Sequence, residues 1–138
     1  MNYQKLAEYR NQTNPFAQYV GIVTTKIEEG YAEVELELRP EHLNSVGIIH
    51  GGVMLTLADV VTGSATLSFG YHAVTASGEY HYLAPGAGLE KVTAAARCIK
   101  NGKTLMVFDV EVYGKEGKIL GKGTFTTYRL ADKPIVLE

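Results

Sequence analysis

The stretch from Ile48 to Phe69 limits this chain more than any other. It is apolar, small or hydroxylic almost throughout, and its only formal charge is Asp59. A segment this apolar must lie inside the fold. A carboxylate inside it costs on the order of several kcal/mol unless it is paired or solvated, so Asp59 needs a reason to be there. His50-Gly51-Gly52 stands where the helix should begin. A helix start offers unpaired N–H groups and a partial positive charge.

The stretch is long enough to raise the question of a membrane span. Asp59, His50, the hydroxyl residues and the internal glycines argue for a helix buried in a soluble fold instead. The chain of 138 residues is read as a single domain, 1–138, with enough length for a real core. A net charge of −2 gives no global attraction to nucleic acid or anionic membrane. The single cysteine, Cys98, excludes an internal disulfide and suits a reducing compartment, so a cytoplasmic location is expected. The N-terminal residues contain no apolar signal core.

The remainder reads as a short helix over about 2–12, broken at Asn14-Pro15, followed by strands. The first strand covers about 20–28. Tyr31 to Arg39 alternates Ala32, Val34, Leu36 and Leu38 with Glu33, Glu35 and Glu37, which gives one buried and one wet face before Pro40. A loop over 41–49 leads into the long helix, about 51–69, with Gly70 as its C-cap. Strands follow at about 73–84, 89–100, 103–114 and 118–130. The first of these carries Thr75, Ser77, Glu79 and His81 on one polar face. Asn101-Gly102 between two strand patterns marks a hairpin. The tail after Leu130 is read as loose. One long helix among five or six mostly antiparallel strands is an α+β fold, a curved sheet wrapped around the helix.

Gly51 and Asp59 are eight residues apart, so roughly 12 Å along the helix and about 80° around it. A carbonyl that is polarised and attacked needs both partners roughly 3 Å from the reacting atoms. If both groups act on one carbonyl, the second comes from another copy of the chain. That arrangement is a two-fold dimer with two composite sites suited to acyl transfer.

Asn44-Ser-Val-Gly-Ile-Ile-His50-Gly51-Gly52 followed by Asp59 resembles the signature of hotdog-fold acyl-CoA thioesterases, of the phenylacetate-degradation and 4-hydroxybenzoyl-CoA type. Tyr82-Leu83-Ala84-Pro85 and Asn101-Gly102-Lys103-Thr104 resemble later parts of the same layout, which runs from about Phe16 to Leu130. The resemblance implies roles for named residues. Gly51 would supply the N–H that polarises the thioester carbonyl, with Gly52 beside it. Asp59 of the partner chain would attack the thioester or activate a water. Asn44 and Thr75 would hold that water or the carboxylate, and His50 would orient the thioester. Lys100 and Lys103, with Arg97 and Arg129 as further candidates, would meet the phosphates of coenzyme A. Met54, Leu55 and Val60 would line the acyl pocket. The expected assembly is at least a homodimer, and a homotetramer by extension. No cofactor or metal is expected beyond the coenzyme A of the substrate, and neither nucleic acid nor membrane is an expected partner.

Plainer readings stand beside these. Asp59 can serve as a structural hydrogen-bonding group, Asn44 as a turn residue, and basic residues in a hairpin as solvated charges. The rival functions are an acyl-CoA-binding module without catalysis, a hydratase or dehydratase, and a structural dimer with a degenerate site. His42, His72 and His81 lack ligand spacing, and Cys98 reads as a core residue.

Overall fold

The computed structural model describes residues 1–137. Its elements in chain order are α1 (Tyr3–Thr13), α2 (Pro15–Val20), β1 (Ile22–Glu28), β2 (Tyr31–Glu37), α3 (Gly51–Leu67), β3 (Tyr71–Tyr82), β4 (Lys91–Asn101), β5 (Leu105–Tyr113) and β6 (Ile119–Pro134). All six strands form one antiparallel sheet in the order β1-β2-β4-β5-β6-β3. Helix α3 touches every strand of it.

Alternation sets which side chains meet the helix. Val34 and Leu36, then Ala94 and Ala96, then Phe108 and Val110 are all buried on the helix side. Glu35 meets Lys91 at 3.4 Å on the other side, and Lys122 meets Glu111 at 2.9 Å. The hydroxyl residues inside α3 fold their side chains back onto the helix. Thr62 donates to the Ala58 carbonyl at 2.8 Å and Ser64 to the Val60 carbonyl at 3.1 Å, so neither leaves a buried group unpaired.

Four expectations change. Pro15 does more than end α1: it is the first residue of α2, where its missing N–H costs nothing. The helix cap is Ser68, and Gly70, at φ +90°, is the left-handed residue that turns the chain into β3. The segment after Leu130 is not loose. Strand β3 begins at Tyr71 and offers its edge to Pro134, and the Ile135 N–H then donates to the Gly70 carbonyl at 2.8 Å. Glu138 lies outside the described residues. Finally, α3 is not covered on all sides by its own chain. Gly52, Leu55 and Asp59 are exposed, with Thr56 and Gly63 half-exposed, and this spacing is one open stripe along the helix.

Candidate active site

Helix α3 begins at a capped turn. His50, in extended conformation, accepts the Gly52 N–H on Nδ1 at 2.8 Å and so acts as the N-cap. Nδ1 is therefore unprotonated, and the proton of the neutral ring sits on Nε2. The preceding N–H, that of Gly51, has no hydrogen-bond acceptor among the described residues. It points out of the helix start with the positive end of the helix dipole behind it. Tyr82, at the far end of β3, closes over this turn. Its hydroxyl donates to the Gly51 carbonyl at 2.9 Å, and a Cβ on residue 51 would stand 3.3 Å from the ring.

Two turns further along the open stripe, Asp59 accepts the Thr75 hydroxyl on Oδ1 at 2.6 Å. No hydrogen bond among the described residues reaches Oδ2. The carboxylate thus has one oxygen held and one available. Thr75 and Tyr82 both face α3 although they are seven residues apart, an odd number that strict alternation would place on opposite faces. The register of β3 against β6 shifts between Thr75 and Ser77. That bulge absorbs the extra residue. It also corrects the reading of one polar face: Thr75 turns to the helix, whereas Glu79 and His81 pair with each other at 3.0 Å on the outer side.

Several other sequence-picked residues lie elsewhere. Asn44 spends its side-chain oxygen inside its own loop, accepting the N–H groups of Val46 at 3.0 Å and Ile48 at 3.2 Å, and only its amide nitrogen is left to face outward. Arg97 packs over the Tyr31 ring at 4.6 Å on the outer face of the sheet, opposite the helix. It shares the parity of Thr93 and Ala95, not of Ala94 and Ala96. Lys100 and Lys103 are exposed around the β4–β5 turn. Arg129 ties that turn to the C-terminal end of α3, donating to Asn101 Oδ1 at 2.6 Å while lying over the rings of Phe69 and Tyr71. Both lysines are therefore nearly a helix length from Gly51 of the same chain. Met54 and Val60 face their own core and only Leu55, 42% exposed, opens outward. Burial pushes the Cys98 thiol pKa up, away from a reactive thiolate.

The sequence reading missed Arg10 and Tyr82. Arg10 lies on α1 one turn after the buried Leu6, so a charge on the packed side was the available signal. It donates to Ser64 Oγ and to the Val60 carbonyl, each at 3.1 Å. Burial lowers its pKa, and the nearby Asp59 partly opposes this. Asp59, Arg10, Gly63, His72 and Thr75 line one cleft of about 390 Å³. Among the described residues, no group of three or more His, Cys, Asp or Glu is placed to hold a metal ion. No helix is long and apolar enough to cross a membrane.

The model of the thioesterase superfamily matches residues 46–120, a span holding the α3 cap, Asp59, Thr75 and Tyr82. The chain belongs to that superfamily. Acyl-coenzyme A thioesterase PaaI of Escherichia coli (strain K12) is 31% identical over 102 residues, 74% of this chain and 73% of that protein. The structure of the E. coli PaaI protein from the phenylacetic acid degradation operon superposes with a TM-score of 0.89 at 26% identity, over 99% of this chain and 100% of that one. The sheet around one helix is thus the hotdog fold. A hypothetical thioesterase of Streptococcus pneumoniae TIGR4, solved with coenzyme A, matches with a TM-score of 0.77 at 29% identity, over 83% of this chain and 88% of that one. That organism's thioesterase has also been solved with an aspartate, and separately a threonine, changed to alanine. The two altered positions are 16 apart in that chain, as Asp59 and Thr75 are here.

Proposed function

We propose that this protein hydrolyses acyl-coenzyme A thioesters at composite sites, each built from Asp59 and Thr75 of one subunit and the α3 start of its partner. The observation that carries the reading is the Asp59 carboxylate, fixed by Thr75 on one oxygen and open on the other, on an uncovered stripe of α3. The names and bound coenzyme A of the relatives support the substrate class. In this reading the Gly51 N–H of the partner subunit takes the thioester oxygen and stabilises the negative charge that grows there. Asp59 either attacks the carbonyl carbon or takes a proton from the water that does. By both routes the C–S bond breaks, the thiolate leaves, and water supplies the acid's oxygen and the proton on sulfur. A thiolate leaves without a strong general acid, so the chemistry calls for no cofactor. The test is thiol release from aryl- and C2–C16 acyl-CoAs. Turnover on part of the panel is expected. A folded protein that binds acyl-CoA and turns over none of it would be a binding module instead.

The dimeric part of this reading is supported by β3. It is an edge strand, 12 residues long and largely exposed, and an exposed edge invites pairing with another strand. The register this reading requires is a second β3 paired about a two-fold axis at Glu79, which sets Gly78 against Tyr80, then Ser77 against His81. With Ala76 bulged out, Thr75 then faces Tyr82 of the partner subunit. Asp59 of one chain is thereby brought to Gly51 of the partner subunit. The two residues at position 79 would be directly opposed, within reach of a disulfide. In a Cys98→Ser background, Glu79→Cys should give a covalent dimer on a non-reducing gel. A cross-link at Ser77→Cys but not at Glu79→Cys would move the axis and undo this register.

A further inference from the structure

The cleft beside Asp59 contains a cation that the hydrolysis just described does not use. Arg10 reaches it from α1, and its place is fixed by the bonds to Ser64 Oγ and the Val60 carbonyl. The flat guanidinium lies against Gly63, where a Cβ would stand 2.5 Å from Nη2 and push the guanidinium from its place. A guanidinium has five N–H donors, and the two bonds leave three of them open. Among the described residues, no carboxylate lies within ion-pair distance of Arg10. Its nitrogens are also not among the buried polar atoms that lack a partner. Nη1, which has no hydrogen-bond partner among the described residues, is therefore not buried, and Arg10 is one of the residues that line the cleft.

Resting on the thioesterase reading, we propose that Arg10 binds a carboxylate at the far end of the acyl group, so that the favoured substrates are coenzyme A monothioesters of short dicarboxylic acids. Distance sets the length. Arg10 is anchored at the levels of residues 60 and 64, roughly 1.5–7.5 Å past Asp59 along the helix axis. An acyl carbon held at Asp59 thus has about one helical turn to span, which suits a chain of roughly five carbons. The lining includes a polar group besides Arg10 and Asp59. His72 lines the cleft and bonds the Tyr9 hydroxyl at 3.1 Å, a poor end for a long alkyl chain. A substrate carboxylate is repelled by Asp59, and the guanidinium beside both offsets this. Arginine suits the task because its planar fork meets a carboxylate with two parallel hydrogen bonds.

The experiment compares kcat/KM for glutaryl-CoA and for hexanoyl-CoA, a neutral acyl group of similar length. Wild type should favour glutaryl-CoA by roughly tenfold or more, the scale of one charge-assisted hydrogen bond. Arg10→Met should remove that preference, and Arg10→Lys should keep part of it. A wild type that favours hexanoyl-CoA overturns the inference, and that result does not depend on any variant folding. Equal losses on both substrates in Arg10→Met also overturn it, because Arg10 would then only support Asp59. Turnover of no acyl-CoA at all is a different failure, that of the thioesterase reading itself.

Discussion

Asp59→Asn should lower kcat on every accepted acyl-CoA by at least about 10³-fold while leaving the fold and the assembly intact. The substitution keeps the shape of the side chain. Asparagine still offers an oxygen to the Thr75 hydroxyl, so the bond from β3 to α3 survives. What disappears is the charge on the free oxygen, which in the proposed mechanism makes the group a base or a nucleophile. Asp59 is exposed, and its charge acts on stability only through the nearby Arg10, while its hydrogen bond to Thr75 survives the change, so the stability cost should be modest. The expected result is a collapse in kcat, a KM changed by less than the rate, and a thermal midpoint close to wild type. Thr75→Ala should be milder, roughly tenfold in kcat, because it frees the carboxylate without neutralising it. Wild-type turnover by Asp59→Asn would sink the mechanism and return Asp59 to a structural role.

Different physical signals account for what the sequence revealed. The central helix was legible because no surface helix is apolar over such a length, and Asp59 was legible because it is the sole charge there. Alternation over Tyr31 to Glu37 named the buried face of β2 correctly, since nothing interrupts its pleat. The same rule failed on β3. One bulged residue reversed the facing of Thr75, and a bulge at Ala76 leaves no mark in composition. Pairing also hid the tail: Asp132 and Lys133 look like a solvated end until β3 supplies an edge for them. Arg97 was assigned by charge alone, although its parity with Ala95 already put it on the outer face. Tyr82 was read as part of a strand end, and its place over Gly51 arises from tertiary contact between elements far apart in sequence.

The proposed composite site is open to the sharpest test, and it begins with Gly51→Pro. Proline removes the N–H while keeping a helix start, because the first helical position accepts it well. His50 already has φ −62° and ψ 136°, the extended conformation that a following proline requires. The crowding falls on the Tyr82 ring, which is half exposed and can shift. Loss of the oxyanion donor should cost roughly 10²–10³-fold in kcat. Gly51→Pro and Asp59→Asn homodimers are then both nearly inactive. Unfolding and refolding an equal mixture makes about half the dimers mixed. In each mixed dimer one site combines both lesions. The other joins an intact Asp59 to an intact Gly51 from the partner subunit. Activity should therefore return to about a quarter of the wild-type value, as one site in four is whole. A site built within one chain gives the opposite result, since each chain would carry its own lesion and the mixture would stay as inactive as its parents.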